Sequence, residues 1–218
     1  GFRTNAPVSL MAPVIGAALL WHYRLDWQPL LRRGLQVFVP ALLLGSLFWA
    51  RNAIVYGGLD VMAKAAHDAV VVGQPQTTTW IADYGLQETV RRFLQTTFNS
   101  SWGQFGWMAV PMQSWAYQIL LLLVVGAVVG LFVGWLVGRN EKIQLEWGVV
   151  VVLGLTALLT TGVHVGYNFT YVQHQGRYLF PALVPLALAF VLGYGRWWSL
   201  LTRQATLKRL LRPELLPM

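Results

Sequence analysis

The residue of this sequence best suited to bind an anion is Arg177, in the segment Gln175-Gly176-Arg177-Tyr178. A guanidinium keeps its charge at any accessible pH and presents a planar fork of donors that matches carboxylate or phosphate oxygens. Gly176 lets the backbone come close to a bound group because it has no Cβ atom. With His174 before them, these residues form a candidate anion site. The alternative is an interfacial arginine that reaches the lipid headgroups, with Tyr178 in an aromatic belt.

Two prolines follow this segment at a spacing of four residues, Pro181 and Pro185. Proline has no backbone N–H and its ring clashes with the preceding helical turn. We therefore expect the first turns of the following apolar helix to be bent or loosened, with carbonyl groups left free of helical hydrogen bonds.

Other reactive residue types are sparse. The chain has no cysteine, so thiol chemistry and zinc–thiolate sites are excluded. Two histidines, His164 and His174, stand without a converging carboxylate, and no pair of carboxylates has the spacing of a metal-binding Asp-x-Asp, so no metal site is predicted. The sequence has neither a glycine-rich phosphate loop after a strand nor a Gly-x-Ser-x-Gly elbow. The catalytic residues, if any, stay unassigned.

The composition is that of a membrane protein. Hydrophobic residues make up 56% of the chain and charged residues 11%, whereas roughly a quarter of a soluble domain is charged. The net charge of +8 does not indicate nucleic-acid binding, because the basic residues lie in short clusters between apolar runs instead of forming a stripe beside stacking aromatic residues.

We therefore predict an all-α fold, a polytopic transmembrane helical bundle of about five spans. Short external interfacial helices are expected between spans 2 and 3. The predicted spans are residues 6–21, 35–50, 116–138, 147–163 and 178–195. The corresponding segments are spans 1 and 2 with their loop (1–51), an external helical loop (52–115), spans 3 to 5 (116–195) and a basic tail (196–218).

The distribution of charge predicts the orientation. Ten of the sixteen lysines and arginines lie in the loop 22–34, the turn 139–146 and the tail 196–218. Positive charges in short loops mark the cytoplasmic side, so these segments, including the C-terminus, are expected in the cytoplasm. No ionisable residue lies in the middle of a predicted span, which argues against a proton relay or an ion pathway.

The external loop is expected to contain two helices. The first covers residues 60–72, with Asp60 as N-cap and Gly73 at its end. The second covers residues 86–98 and is amphipathic, with an apolar face that lies on the headgroup layer or packs against other protein. That face consists of Leu86, Val90, Phe93, Leu94 and Phe98.

Several sequence elements occur in an order that resembles a known family. They are Arg51-Asn52 with Tyr56-Gly57-Gly58, Ala66-His67-Asp68-Ala69-Val70-Val71, Trp102-Gly103-Gln104-Phe105-Gly106-Trp107-Met108 and Gln175-Gly176-Arg177-Tyr178-Leu179-Phe180-Pro181. This order resembles the C-terminal half of bacterial polytopic glycosyltransferases of the GT-C superfamily, the relatives of protein mannosyltransferases and aminoarabinose transferases. The resemblance covers about residues 45–195.

The resemblance implies an enzyme of the bacterial cytoplasmic membrane that moves a sugar from a polyprenyl-phosphate carrier to an acceptor on the external face. It places Arg177 near the carrier phosphate with Tyr178 beside it, and it places Gln104 and Trp107 in the wall of the cavity. The catalytic Asp or Glu would lie upstream of Gly1, so we expect the present segment alone to be inactive. No cofactor is evident, and a divalent metal in the full-length enzyme is left open. Expected partners are membrane lipids, the carrier and other membrane subunits.

Two other interpretations remain open at this point. The chain could be a non-catalytic helical subunit or scaffold of a larger membrane complex, with its aromatic loops as protein contacts. It could also be a lipid flippase or transporter with the same architecture. A carboxylate in the first external loop of the full-length protein would favour the enzyme.

Overall fold

The structure is a computed structural model that describes residues 2–24, 26–58, 60–61, 65–66, 73–105, 108–137 and 146–210. Seven α-helices account for most of these residues, which confirms the predicted all-α fold. The helices are α1 (Phe2–Tyr23), α2 (Trp27–Tyr56), α3 (Thr77–Tyr84), α4 (Leu86–Trp102), α5 (Ser114–Val137), α6 (Trp147–Asn168) and α7 (Leu183–Leu210). A 3-10 segment, η1 (Gly176–Ala182), precedes α7, and β1 (Gln104–Phe105) pairs antiparallel with β2 (Val110–Pro111).

Four helical stretches within the described residues are long and apolar enough to cross a membrane: Trp27–Tyr56, Ser114–Leu136, Trp147–Asn168 and Gly176–Thr202. Large apolar side chains along them are exposed, among them Leu44, Leu122 and Leu158. Exposed apolar surface on this scale needs a nonaqueous neighbour, which supports an integral membrane protein. The first predicted span, residues 6–21, falls in α1, where the apolar helix Met11–Tyr23 is shorter than the other four.

The helices extend beyond the predicted spans. Helix α2 begins at Trp27, inside the predicted loop 22–34, and α6 continues to Asn168, five residues past the predicted end of span 4. Helix α7 likewise runs through the start of the predicted tail to Leu210. Hydropathy marks the part of a helix that lies in hydrocarbon, whereas the backbone hydrogen bonds continue into the headgroup layer.

The described residues divide into two compact units that do not follow the predicted segments. Unit 1 comprises Gly1–Trp102 and Glu146–Ala182, and unit 2 comprises Gly103–Leu145 and Leu183–Met218. In unit 1, α1 packs on α2 and α6, and η1 packs on α4 and α6. A Cβ atom at Gly148 would collide with the indole of Trp21, so α1 and α6 approach closely because residue 148 is glycine.

Helix α3 was not predicted from the sequence, and it is fastened to the loop that follows α6. The N–H of Thr77 donates to the carbonyl of Thr170 (3.1 Å), and the N–H of Val172 donates to that of Pro75 (2.9 Å). Gly85, with a φ of 82°, separates α3 from α4. Of the predicted helix 60–72, most lies outside the described residues, although the Asp60 carboxylate accepts a hydrogen bond from the N–H of Ala66 (3.0 Å).

Unit 2 is built on the close pairing of α5 and α7. A Cβ atom at Gly193 would meet the backbone of Ala127, and one at Gly130 would meet the backbone of Gly193. The Tyr194 hydroxyl donates to the carbonyl of Leu123 (2.8 Å), and the Trp197 indole donates to that of Gly126 (2.9 Å). Small residues at the contact of membrane helices allow this approach.

Candidate functional site

Arg177 is exposed and lies in η1, the second residue of the candidate span Gly176–Thr202. Its guanidinium carbon is 5.6 Å from the ring centre of Tyr178, which is within the range of a cation–π contact. The N–H of Tyr178 donates to the carbonyl of Gln175 (3.2 Å). The stretch that contains Pro181 is a 3-10 helix, which is wound more tightly than an α-helix.

Gly176 fixes the backbone of this segment against α4. Its N–H donates to the Ser100 hydroxyl (2.7 Å). A Cβ atom at Gly176 would collide with the Ser101 hydroxyl and with the backbone carbonyl of Thr97. The close approach that the sequence predicted at this glycine is therefore an approach of η1 to α4, and it determines where Arg177 stands.

His174 is buried, with 6% of its surface exposed. Its ring lies edge-on to Trp80 (5.5 Å between centres) and to Phe93 (5.3 Å). Burial, and to a smaller extent the neighbouring His164, lowers the pKa of His174 to about 4. His174 is therefore neutral near pH 7. It packs within the aromatic cluster and provides no positive charge for an anion.

His164 lies in the last turns of α6 and is also buried. Its ring stacks on Phe93 (5.4 Å) and on Tyr178 (6.2 Å). The Thr97 hydroxyl lies 3.2 Å from Nε2 of His164, and it donates to the carbonyl of His174 at 3.4 Å. The aromatic cluster of Trp80, Phe93, His164, His174 and Tyr178 thus joins α3, α4, α6 and η1.

The loop before Gln175 is held by the side chain of Asn168. Its amide oxygen accepts from the N–H of Gln173 (2.8 Å), and its amide nitrogen donates to the carbonyls of His164 (2.8 Å) and Gln173 (3.2 Å). The Gln74 side chain donates to that of Gln173 (2.9 Å). Asn168 is 8% exposed, and burial of these satisfied polar groups makes the loop a defined structure.

A second cationic group, which the sequence reasoning did not single out, lies on α4. Arg92 stands over the ring of Tyr84 (4.2 Å) and that of Trp80 (5.4 Å). Glu88 pairs with Arg91 (2.6 Å) and Arg92 (2.8 Å), and these hydrogen bonds lower the pKa of Glu88 to about 2. The sequence shows that Arg91 and Arg92 follow Glu88 at spacings of three and four residues, which allow ion pairs on a helix. It does not show that Arg92 contacts α3.

An apolar cavity of about 130 Å³ lies beside the aromatic cluster. It opens between α3, α4 and the end of α6, with Ile81, Val90, Phe93, Phe169 and His174 in its wall. Thr77, Thr89 and Asn168 add polar groups to this mainly apolar lining.

Two further residues, Gln104 and Trp107, were predicted as site residues. Gln104 belongs to unit 2, where its amide nitrogen donates to the carbonyl of Met108 (2.9 Å). Trp107 lies outside the described residues. The described part of the chain contains no group of three or more histidine or carboxylate residues that could hold a metal ion.

Comparisons with protein-family profiles, curated proteins and solved structures find no match to this chain. Its chemistry must therefore be argued from the site. The arrangement offers an exposed guanidinium on a fixed backbone, next to a neutral aromatic cluster at the start of a candidate membrane span. Such a site is suited to binding an anionic group at the edge of hydrocarbon.

Proposed function

We propose that this chain is part of an integral membrane glycosyltransferase that moves a sugar from a polyprenyl-phosphate carrier to an acceptor on the external face. In this proposal Arg177 contacts the carrier phosphate. The observation that carries it is the position of Arg177, an exposed cation at the first turn of a candidate membrane span, on a backbone held by Gly176 against α4.

A polyprenyl phosphate has a charged end and a hydrocarbon end, so its binding site needs a cation and an apolar surface close to each other. Arg177 supplies the charge, while the exposed Phe180, three residues further on in η1, supplies apolar surface. The guanidinium carbon of Arg177 is 5.6 Å from the ring centre of Tyr178, and a cation–π contact of this kind orients the guanidinium.

Replacement of Arg177 by lysine in the full-length protein tests the proposal. Lysine keeps the charge but cannot form a bidentate pair with phosphate. Loss of one charge-assisted hydrogen bond costs on the order of 1.5–3 kcal/mol, or about ten- to a hundredfold in carrier affinity. Carrier affinity and sugar transfer would be measured for wild type, Arg177→Lys and Arg177→Gln in one detergent.

Arg91→Lys is the matched control, because Arg91 is an exposed arginine of the same unit that is paired with Glu88. It should leave carrier affinity within twofold of wild type. If Arg177→Lys also stays within twofold, Arg177 is an interfacial anchor and the phosphate role is refuted.

A scaffold role is the second candidate, and an exposed apolar strip on α4 favours it. Leu86, Val90 and Leu94 leave roughly half of their surface uncovered. Purification of the tagged full-length protein in a mild detergent would distinguish the two. A stoichiometric partner that is lost on Leu94→Glu, together with no transfer activity in the wild type, would favour the scaffold over the enzyme.

A further inference from the structure

A groove of about 550 Å³ runs between α1 and α2, within unit 1 and on different helices from the aromatic cluster. Its wall is apolar throughout: Gly16 and Leu20 contribute from α1, and Trp27, Gly34, Phe38 and Leu42 from α2. A Cβ atom at Gly16 or Gly34 would meet nothing within 4 Å. The two glycines therefore widen the groove and are not needed for contact between the helices.

The length of the groove fits a lipid chain. From Trp27 to Leu42 it extends about 22 Å along α2, at about 1.5 Å per residue. One leaflet of hydrocarbon is about 15 Å thick, half of a core of about 30 Å. The groove is thus long enough to follow an acyl chain through one leaflet and to continue into the headgroup layer.

Charge marks one end of the groove. Helix α2 has 30 residues and would be about 45 Å long, so part of it must project beyond the hydrocarbon. Its residues 34–50 carry no charge, whereas Arg32 and Arg33 lie in its first two turns and Arg24 lies in the turn before it. Against these three arginines, the segment 22–34 has one carboxylate, Asp26.

The arginines differ in their place around α2. At about 100° per residue, Arg32 lies at the rim of the apolar stripe, whereas Arg33 lies on the far side. Arg33 donates to the side chain of Gln36 (3.1 Å). Arg24 is exposed and ends α1 with a φ of 47°. Arg24 and Arg32 are therefore the cations closest to the apolar stripe at the end of the groove where α2 begins.

We infer that the α1–α2 groove binds an anionic glycerophospholipid, with one acyl chain along the groove and the headgroup phosphate between Arg24 and Arg32. The inference is independent of the glycosyltransferase proposal, since it involves no residue of the aromatic cluster or η1. Charge complementarity at one end and an uninterrupted apolar wall along the rest select a lipid over a soluble anion.

The test is lipid binding by the chain in a mild detergent, followed by native mass spectrometry. Dioleoyl phosphatidylglycerol, dioleoyl phosphatidylcholine and glycerol 3-phosphate are the three probes. The phosphatidylglycerol should bind about tenfold more tightly than the phosphatidylcholine, because two arginines near a membrane surface each favour an anionic headgroup. Glycerol 3-phosphate should not bind measurably, since it has no chain to fill the groove.

Variants separate the two parts of the site. Gly34→Leu and Gly16→Leu fill the groove from opposite walls, and each should abolish retention of both lipids while the helical circular dichroism stays at the wild-type level. Arg24→Gln with Arg32→Gln should weaken phosphatidylglycerol binding more than phosphatidylcholine binding, whose choline cation already offsets the phosphate charge, and should thereby remove the preference for phosphatidylglycerol. Arg33→Gln is the matched control and should bind both lipids within twofold of wild type.

Three outcomes would overturn the inference. The first is equal affinity of the wild type for the two lipids. The second is undiminished lipid binding by both glycine variants. The third is a change of oligomeric state in Gly34→Leu, measured by light scattering, which would show that a second copy of the chain occupies the groove.

Discussion

The hydroxyl of Thr97 on α4 lies 3.2 Å from Nε2 of His164 on α6. One turn later on α4, the Ser100 hydroxyl accepts the N–H of Gly176. The same helical face therefore holds the end of a candidate membrane span and the start of η1. The place of Arg177 follows from this polar contact surface and not only from the apolar helix that comes after it.

The first prediction concerns Gly176. Gly176→Ala should lower the free energy of unfolding by about 1–3 kcal/mol, because the added methyl group collides with α4. Thermal unfolding in detergent, followed by circular dichroism, measures the change. The control is Gly162→Ala in α6, where a Cβ atom meets nothing within 4 Å. It should be neutral, or stabilising by up to about 1 kcal/mol. Equal effects of the two substitutions would contradict the proposed packing.

The membrane-spanning helices could be predicted from the sequence because lipid imposes long apolar runs. The ends of the helices could not, since α6 continues through His164 and Asn168, whose side chains bond to Thr97 of α4 and to Gln173 of the following loop. Hydropathy contains no information on such partners. The 3-10 segment was not predicted; the expectation from Pro181 and Pro185 was a bent or loosened first part of the helix, and Pro181 lies inside the 3-10 segment.

The site was predicted only in part. The amphipathic pattern of residues 86–98 predicted an apolar face that lies on the headgroup layer or packs against other protein. Phe93 does pack against His164 and His174, but Leu86 and Leu94 stay exposed. Much of the contact is made by short polar side chains such as Thr97, which hydropathy scores as surface. Thr97 bonds to His164 and to the carbonyl of His174, and Ser100 accepts the N–H of Gly176. These partners lie far away in the sequence.

The second prediction concerns pH. The pKa of His174 is lowered from 6.5 to about 4 by burial. Below pH 6.5, His174 is therefore protonated in the unfolded chain, whereas in the folded chain it stays neutral until the pH falls to about 4. Stability should be at its full value above pH 6.5 and should fall by on the order of 2–3 kcal/mol as the pH drops to 4. The midpoint of thermal unfolding, measured across this range, follows the loss.

His174→Phe preserves a ring against Trp80 and Phe93 and removes the titrating group. Its unfolding midpoint should change less between pH 6.5 and pH 4 than that of the wild type. His22→Phe, at an exposed position, should keep the wild-type pH dependence. A His174→Phe profile parallel to that of wild type would show that another group causes the acid sensitivity.

The third prediction concerns α7 in unit 2. Gly193→Ala should destabilise the α5–α7 pair by about 1–3 kcal/mol, since the methyl group would meet the backbone of Ala127, which cannot move without shifting α5. Gly195→Ala, two residues away in the same helix, meets nothing within 4 Å and should be neutral. The extent of proteolysis between α5 and α7 in detergent, compared with wild type, provides the measurement. Similar cleavage of the two variants would exclude close packing at residue 193.

The last prediction is the orientation of the chain in the membrane. The loop 22–34, the turn 139–146 and the tail 196–218 carry most of the basic residues, and basic residues in short loops remain in the cytoplasm.

The chain has no cysteine, so a single introduced cysteine reports one position without background. Thr78, exposed in α3, is expected outside, and residue 206 in α7 is expected in the cytoplasm. An impermeant maleimide added to intact cells should therefore label Thr78→Cys, and it should label Thr206→Cys only after the membrane is permeabilised. The permeabilised sample controls for reactivity at both positions. If only Thr206→Cys is labelled in intact cells, the predicted orientation is wrong. The external placement of Arg177, on which the carrier proposal depends, would then be wrong as well.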